Sequence, residues 1–169
     1  MAAGDPPRKH MGGSAQKSGK SRKAKREDPI EAAHLHASCV AWHSQAVLIT
    51  GASGSGKSAL ALELMAFGAT LVADDRTDIQ RRGVQLIASC PTVLCGKIEA
   101  RFAGILRAEA APPTEIVLAV DLDHVETQRM PPPRSMHLLG LEIPLYHKIE
   151  RAHFAPTLLQ YLKSGPEKS

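Results

Sequence analysis

The sequence predicts an α/β domain in which a mixed sheet, flanked by helices, carries a P-loop. Three observations predict it. The apolar run Val47, Leu48 and Ile49 leads directly into Gly51-Ala52-Ser53-Gly54-Ser55-Gly56-Lys57-Ser58, and a helix-period stretch follows over 59–67. Residues 33–42 and 46–50 are two apolar runs parted only by polar His43, Ser44 and Gln45, the pattern of a hairpin. Residues 70–75 and 114–121 are further apolar runs, each ending in aspartate. In a parallel sheet the carboxyl ends of strands share an edge with the P-loop, and ligands bind there.

The P-loop is the element with the clearest chemistry. Its glycines let the backbone curl so that several N–H groups converge on one anion, and the helix that begins there turns its positive dipole end on the same point. Residues Gly51 to Ser58 are therefore expected to bind a nucleoside triphosphate. Lys57 reaches the β- and γ-phosphates, and Ser58 offers a hydroxyl to Mg2+.

Composition bounds the rest. At 169 residues the chain has room for one compact domain and a tail, and with six aromatic residues its core must be built from Ala, Val, Leu and Ile. Residues 1–28 hold eight Lys or Arg against three acids, which leaves thirteen against fourteen in 29–169. The first segment is expected to be a disordered basic tail, too poor in large apolar residues to repay the entropy of ordering. The second is expected to be the P-loop domain, with nucleic acid an unlikely partner for so neutral a surface. Cys39, Cys90 and Cys95 lack C-x-x-C spacing, so neither a disulfide framework nor a zinc site is expected. No apolar run reaches the roughly 18 residues a membrane helix needs, and the expectation is a cytoplasmic chain without a membrane partner.

In chain order, folding the predicted hairpin about Ser44 sets His36 opposite Ala52, at the mouth of the P-loop, where an imidazole can contact a phosphate or handle a proton. The helix over 59–67 carries one charge, Glu63, and is expected to be largely buried, with Gly68 as its stop. Strand alternation implies that only one of Asp74 and Asp75 points at the phosphate site. Over 96–106, period two groups Glu99 with Arg101 and Ile98 with Phe102. The charged pair fits either a solvated face or a magnesium ligand beside a phosphate-neutralising guanidinium. Asp121, ending the strongest apolar run, is a rival carboxylate for Mg2+. Residues 124–136 are polar and proline-rich, with Arg129 and Arg134, and are expected to form a mobile loop. A strand over 138–145 and a terminal helix over 155–163 complete the reading.

Taken together, His36 fifteen residues before Gly51, G-x-S-G-x-G-K-S, L-V-A-D-D-R, I-E-x-R-x-x-G-I and L-L-G-L-E-I-P resemble the catalytic domain of bacterial HPr kinase/phosphorylase over about residues 34–145. The resemblance implies a core similar to that of phosphoenolpyruvate carboxykinase, and an ATP- and Mg2+-dependent enzyme that phosphorylates a serine of an HPr-like phosphocarrier. It implies Asp75 as the base for the serine proton, Lys57 on the phosphates, Ser58 and Glu99 on Mg2+, and His36 and Arg129 as further active-site residues. It also implies a homo-oligomer. Short forms of this kind resemble those of alphaproteobacteria, where the phosphotransferase proteins serve regulation. The chain departs from the family in three places: about thirty residues expected to be disordered stand where family members usually have a separate N-terminal domain, Phe102 replaces a glycine, and PLYHKIER over 144–151 replaces the Pro-Val-Arg-Pro-Gly-Arg stretch associated with phosphorylase activity. The expectation is a kinase with weak or no phosphorylase activity. Two rival readings are a regulatory ATP-binding sensor without phosphoryl transfer and a small-molecule P-loop kinase using Asp121.

Overall fold

The computed structural model describes residues 31–166, so the expected basic tail over 1–28 lies outside it. In chain order the elements are β1 (Ala32–Leu35), β2 (Ser38–Trp42), β3 (Gln45–Thr50), α1 (Lys57–Ala66), β4 (Thr70–Ala73), β5 (Thr77–Arg82), β6 (Gln85–Ser89), β7 (Lys97–Ala100), β8 (Gly104–Arg107), β9 (Thr114–Val125), β10 (Ser135–Leu138), β11 (Leu141–Lys148) and α2 (Phe154–Ser164). A mixed sheet runs β1-β5-β6-β9-β3-β2-β4, and β11, itself paired to β10, joins it along β9. The parallel pairs are β3 with β9 and β11 with β9; the rest are antiparallel. The β7–β8 hairpin stands apart as a two-stranded sheet. No helix among the described residues is long and apolar enough to cross a membrane.

Alternation along the central strands divides the core in two. Val40, Val47, Ile49, Leu118 and Val120 face the helices and pack with Leu60, Leu64, Leu158 and Leu162. Cys39, Ala41, Ala46, Leu48 and Ala119 face the other way, toward Ile79, Leu86 and Ile143. Both helices thus lie on one face, and the second is closed by the sheet curling over itself through β5, β6 and the β10–β11 hairpin. A shift of register between Ala46 and Val47 pairs Ala46 with Ile116 but Val47 with Leu118. The extra residue in β9 is a bulge that keeps the long strand in phase with both cores. Lys163 Nζ lies 4.5 Å from the Trp42 ring centroid, fixing the end of α2 over the hairpin.

Several sequence expectations are corrected here. The run over 33–42 is two strands: the chain bends at His36 and Ala37, so β1 pairs with β5 and β2 with β3 and β4. The hairpin register pairs Ser38 with Ile49 and Trp42 with Gln45, so the fold line falls between His43 and Ser44, half a residue before the expected one, and His36 stands in the bend ahead of the ladder. Helix α1 is half-buried: Leu60, Ala61 and Leu64 face the sheet, whereas Glu63, Ala66 and Phe67 are exposed. Phe102 does not share a face with Ile98, because the chain turns at 101–103 with Phe102 at φ 68° and returns as β8. Residues 135–148 form a hairpin turned at Leu139 and Gly140, both at positive φ, where one strand was expected.

Candidate active site

The loop between β3 and α1 closes around Lys57. Its ammonium, 6% exposed as a residue, donates to the carbonyls of Gly51 (2.8 Å) and Ala52 (2.9 Å), so the lysine is held along the loop that it serves. Gly51 is required by geometry: at φ 142°, a Cβ there would meet Ser55 Oγ at 2.6 Å and Leu122 Cβ at 3.1 Å. Gly54 and Gly56 also hold positive φ, and Gly56 caps α1. The Ala52 N–H donates to the Asp123 carboxylate (2.9 Å), which ties the loop to the end of β9. Sequence reasoning missed Asp123; its one signal is its place two residues beyond the strand-ending Asp121.

A cavity of about 430 Å³ opens over this loop. Lys57 and Ser58 line it from the loop, His36 and Asp75 from one side, and Glu99 and Arg101 from the β7–β8 hairpin on the other. Six residues spread over 36–101 in sequence therefore meet in one place. Arg101 reaches over the glycine loop, its Nη2 lying 3.5 Å from where a Cβ on Gly54 would be.

Asp74 and Asp75 divide the labour. Strand β4 ends at Ala73, and Asp75 takes φ 63°, a left-handed conformation that aspartate tolerates better than most residues. As expected, only one of the two acids lines the cavity, and it is Asp75; Asp74 supports the site from beneath. Asp75 is exposed in the cavity, and His36 Nδ1 donates to its backbone carbonyl (2.9 Å) with Asp75 Oδ1 3.1 Å away. Both neighbours of Nδ1 are acceptors, so this ring nitrogen is the one that donates. Asp74 is 5% exposed, and its carboxylate accepts from Ser38 Oγ (2.6 Å), Ser58 Oγ (2.8 Å) and the Glu99 N–H (3.0 Å). One buried carboxylate thus positions both Ser58 and Glu99. Their oxygens are the donor type a hard cation such as Mg2+ takes.

Two residues singled out in the sequence are placed elsewhere. Asp121 belongs to the face of β9 opposite α1 and is held by the His124 ring (2.6 Å) and the Asp123 N–H (2.8 Å). Its partial burial alone would raise its carboxyl, but the Asp123 N–H and then the His124 and His147 rings hold it below its ordinary value. Arg129 stands exposed in the 126–134 connection and does not line the cavity. That connection is anchored by Glu126, whose carboxylate takes the Gln128 and Thr127 N–H groups and pairs with Arg134.

A glycine loop wrapped on a buried lysine and opening a helix at the edge of a curled mixed sheet defines a P-loop α/β domain. Residues 30–131 match the family model for the HPr serine kinase C-terminal domain, and the chain belongs to that family. It is 47% identical over 72 residues to an HPr kinase/phosphorylase of Clostridium tetani, covering 43% of this chain and 24% of the relative. To the HPr kinase/phosphorylase of Alkaliphilus metalliredigens it is 36% identical over 116 residues, 64% of this chain and 36% of that one. The chain thus spans between about a quarter and about a third of these curated relatives. Its fold is similar to that of the Hpr(Ser) kinase/phosphatase from Coxiella burnetii, with a TM-score of 0.64 and 28% identity over 78% of this chain and 88% of that one.

Proposed function

We propose that this chain transfers the γ-phosphoryl group of ATP to a serine of an HPr-like phosphocarrier protein. The observation that carries the reading is the convergence of Asp75, His36, Lys57 and Glu99 on the one cavity above the P-loop. The P-loop N–H groups and Lys57 bind the β- and γ-phosphates. Asp75 takes the proton of the incoming serine as its oxygen bonds to the γ-phosphorus and the bond to the β-γ bridging oxygen breaks, leaving phosphoserine and ADP. His36 holds the Asp75 backbone at its turn, and Arg101, beside Gly54, adds positive charge where the transferred group sits. Ser58 and Glu99 would hold Mg2+, which when bound neutralises phosphate charge. Arg129 is on a separate connection and would have to move to join the site.

Asp121 is the carboxylate of the rival small-molecule reading. Its place on the far face of β9, tied to His124, favours Asp75 as the base. Residues 144–151 read PLYHKIER where the family carries the stretch associated with phosphorylase activity. We therefore propose weak or no reversal, a cytoplasmic setting, and assembly with further copies of the chain as in the family.

The test is the intact mass of an HPr-like protein after incubation with the full chain, ATP and Mg2+. A gain of one phosphate that is lost when the acceptor serine is changed to alanine supports the reading. No gain while ATP still binds overturns it and favours a regulatory nucleotide sensor. Incubating the phosphorylated carrier with inorganic phosphate is expected to leave the phosphoserine in place.

A further inference from the structure

A second cluster of chemistry-bearing side chains lies on the far face of the sheet, away from the nucleotide cavity. Asp121, His124 and His147 each bring one donor atom to a single place, all of them within 4.8 Å of one another. The topology explains how residues so placed in sequence meet. Asp121 and His147 are direct partners on the parallel strands β9 and β11, so their side chains share a face. His124, three residues beyond Asp121, would fall on the opposite face of a regular strand. The register shifts here, His147 pairing with Asp121 but Lys148 with Val125, and the bulge of three residues in β9 returns His124 to the face of Asp121. The His124 and His147 rings lie 5.3 Å apart and 28° from parallel, and Asp121 Oδ2 is 2.6 Å from His124 Nδ1.

We propose that Asp121, His124 and His147 form a site for a divalent transition metal, Zn2+ being the ion the donors suit, which clamps the end of β9 to β11. Two imidazoles and one carboxylate are a borderline donor set that favours Zn2+, Co2+ or Ni2+ over Mg2+, which prefers oxygen alone. Three protein ligands leave a fourth position for water, and His124, with a side chain 68% exposed, provides the way in. The site is separate from the oxygen donors Ser58 and Glu99, so it does not depend on the phosphoryl-transfer reading. It does reach the P-loop: Asp123, between Asp121 and His124, holds the Ala52 N–H. A metal that fixes 121–124 fixes that tether with it.

The test uses the full chain in metal-free buffer without Mg2+ or nucleotide. Zn2+ affinity is measured by competition with a chromogenic chelator, the visible spectrum is recorded with Co2+, and Tm is measured with and without Zn2+. The wild type is expected to take one equivalent at this site and to melt higher when loaded. His124→Ala, at an exposed position, and Asp121→Asn, which preserves shape, are each expected to weaken binding at least about tenfold and to remove the rise in Tm, while His34→Ala leaves both intact. The cobalt spectrum should lack a thiolate band, since no cysteine belongs to the cluster. Equal affinity in the wild type and in the His124→Ala, His147→Ala double variant would overturn the proposal, as would a wild-type Tm indifferent to Zn2+.

Discussion

Asp75 and Phe102 both hold backbone conformations that most residues avoid, and the contrast between them is instructive. At φ 63°, Asp75 gains from its turn, since the turn puts its carboxylate in the cavity and His36 bonds its carbonyl. Phe102, at φ 68°, is fully exposed and has nothing to show for the same conformation. Left-handed backbone costs an ordinary residue about 1–2 kcal/mol, so Phe102→Gly should stabilise the chain by about 1 kcal/mol after the entropy glycine regains on unfolding. Thermal or urea unfolding reads this directly. A variant less stable than the parent would contradict the view that Phe102 is strained at this turn.

At the scale of elements, the P-loop depends on two supports, one at the first residue of its motif and one outside it. One is the absence of a side chain at Gly51. Gly51→Ala should abolish nucleotide binding, measured by titration with a fluorescent ATP analogue, while the far-ultraviolet circular dichroism stays that of the parent. The other is Asp74, which collects Ser38, Ser58 and the Glu99 N–H. Asp74→Ala leaves three buried or half-buried donors without an acceptor and should destabilise the chain by about 3 kcal/mol, with Mg2+ affinity in the presence of nucleotide falling too. Equilibrium unfolding and a Mg2+ titration check the two halves. The motif itself, β3, the helix behind it and β9 were legible in the sequence, because glycine spacing and apolar runs are local signals. The positive φ at Asp75, Phe102 and Leu139 was not. A non-glycine residue at a turn carries little local signature, and each of these hides a strand end inside what reads as a continuous pattern.

At the scale of the whole molecule, the sheet is what brings distant residues together. Strand β9 is paired to β3 on one edge and to both β6 and β11 on the other, and its bulges set which side chains face which core. The presence of a mixed sheet and of helices was readable from the sequence; that both helices lie on one face was not, because curling is a property of strand pairing over long separations. Leu158, fully buried between α2 and the sheet, reports on this packing, and Leu158→Ala should cost about 2–5 kcal/mol in unfolding free energy. Acid stability follows from the anchored carboxyls. The Gln128 N–H, and after it the Arg134 guanidinium, hold Glu126 below its ordinary value, as the Asp123 N–H and the histidines do for Asp121. Groups with lowered folded-state values contribute stability that is present above the ordinary carboxylate range and is lost as pH falls below it. Glu126→Gln should therefore make stability, followed by urea midpoint, less sensitive to pH below the ordinary glutamate value of 4.5.

The central claim is that the carboxylate serving phosphoryl transfer is Asp75, in the cavity, and not Asp121, across the sheet. Its most direct test is the single-turnover rate of transfer from ATP to an HPr-like protein for the parent, Asp75→Asn and Asp121→Asn, in Mg2+ buffer at saturating ATP. The account predicts that Asp75→Asn loses at least about a hundredfold in rate with ATP affinity retained, whereas Asp121→Asn keeps most of the parent rate. Loss of transfer in Asp121→Asn with Asp75→Asn still active would contradict it.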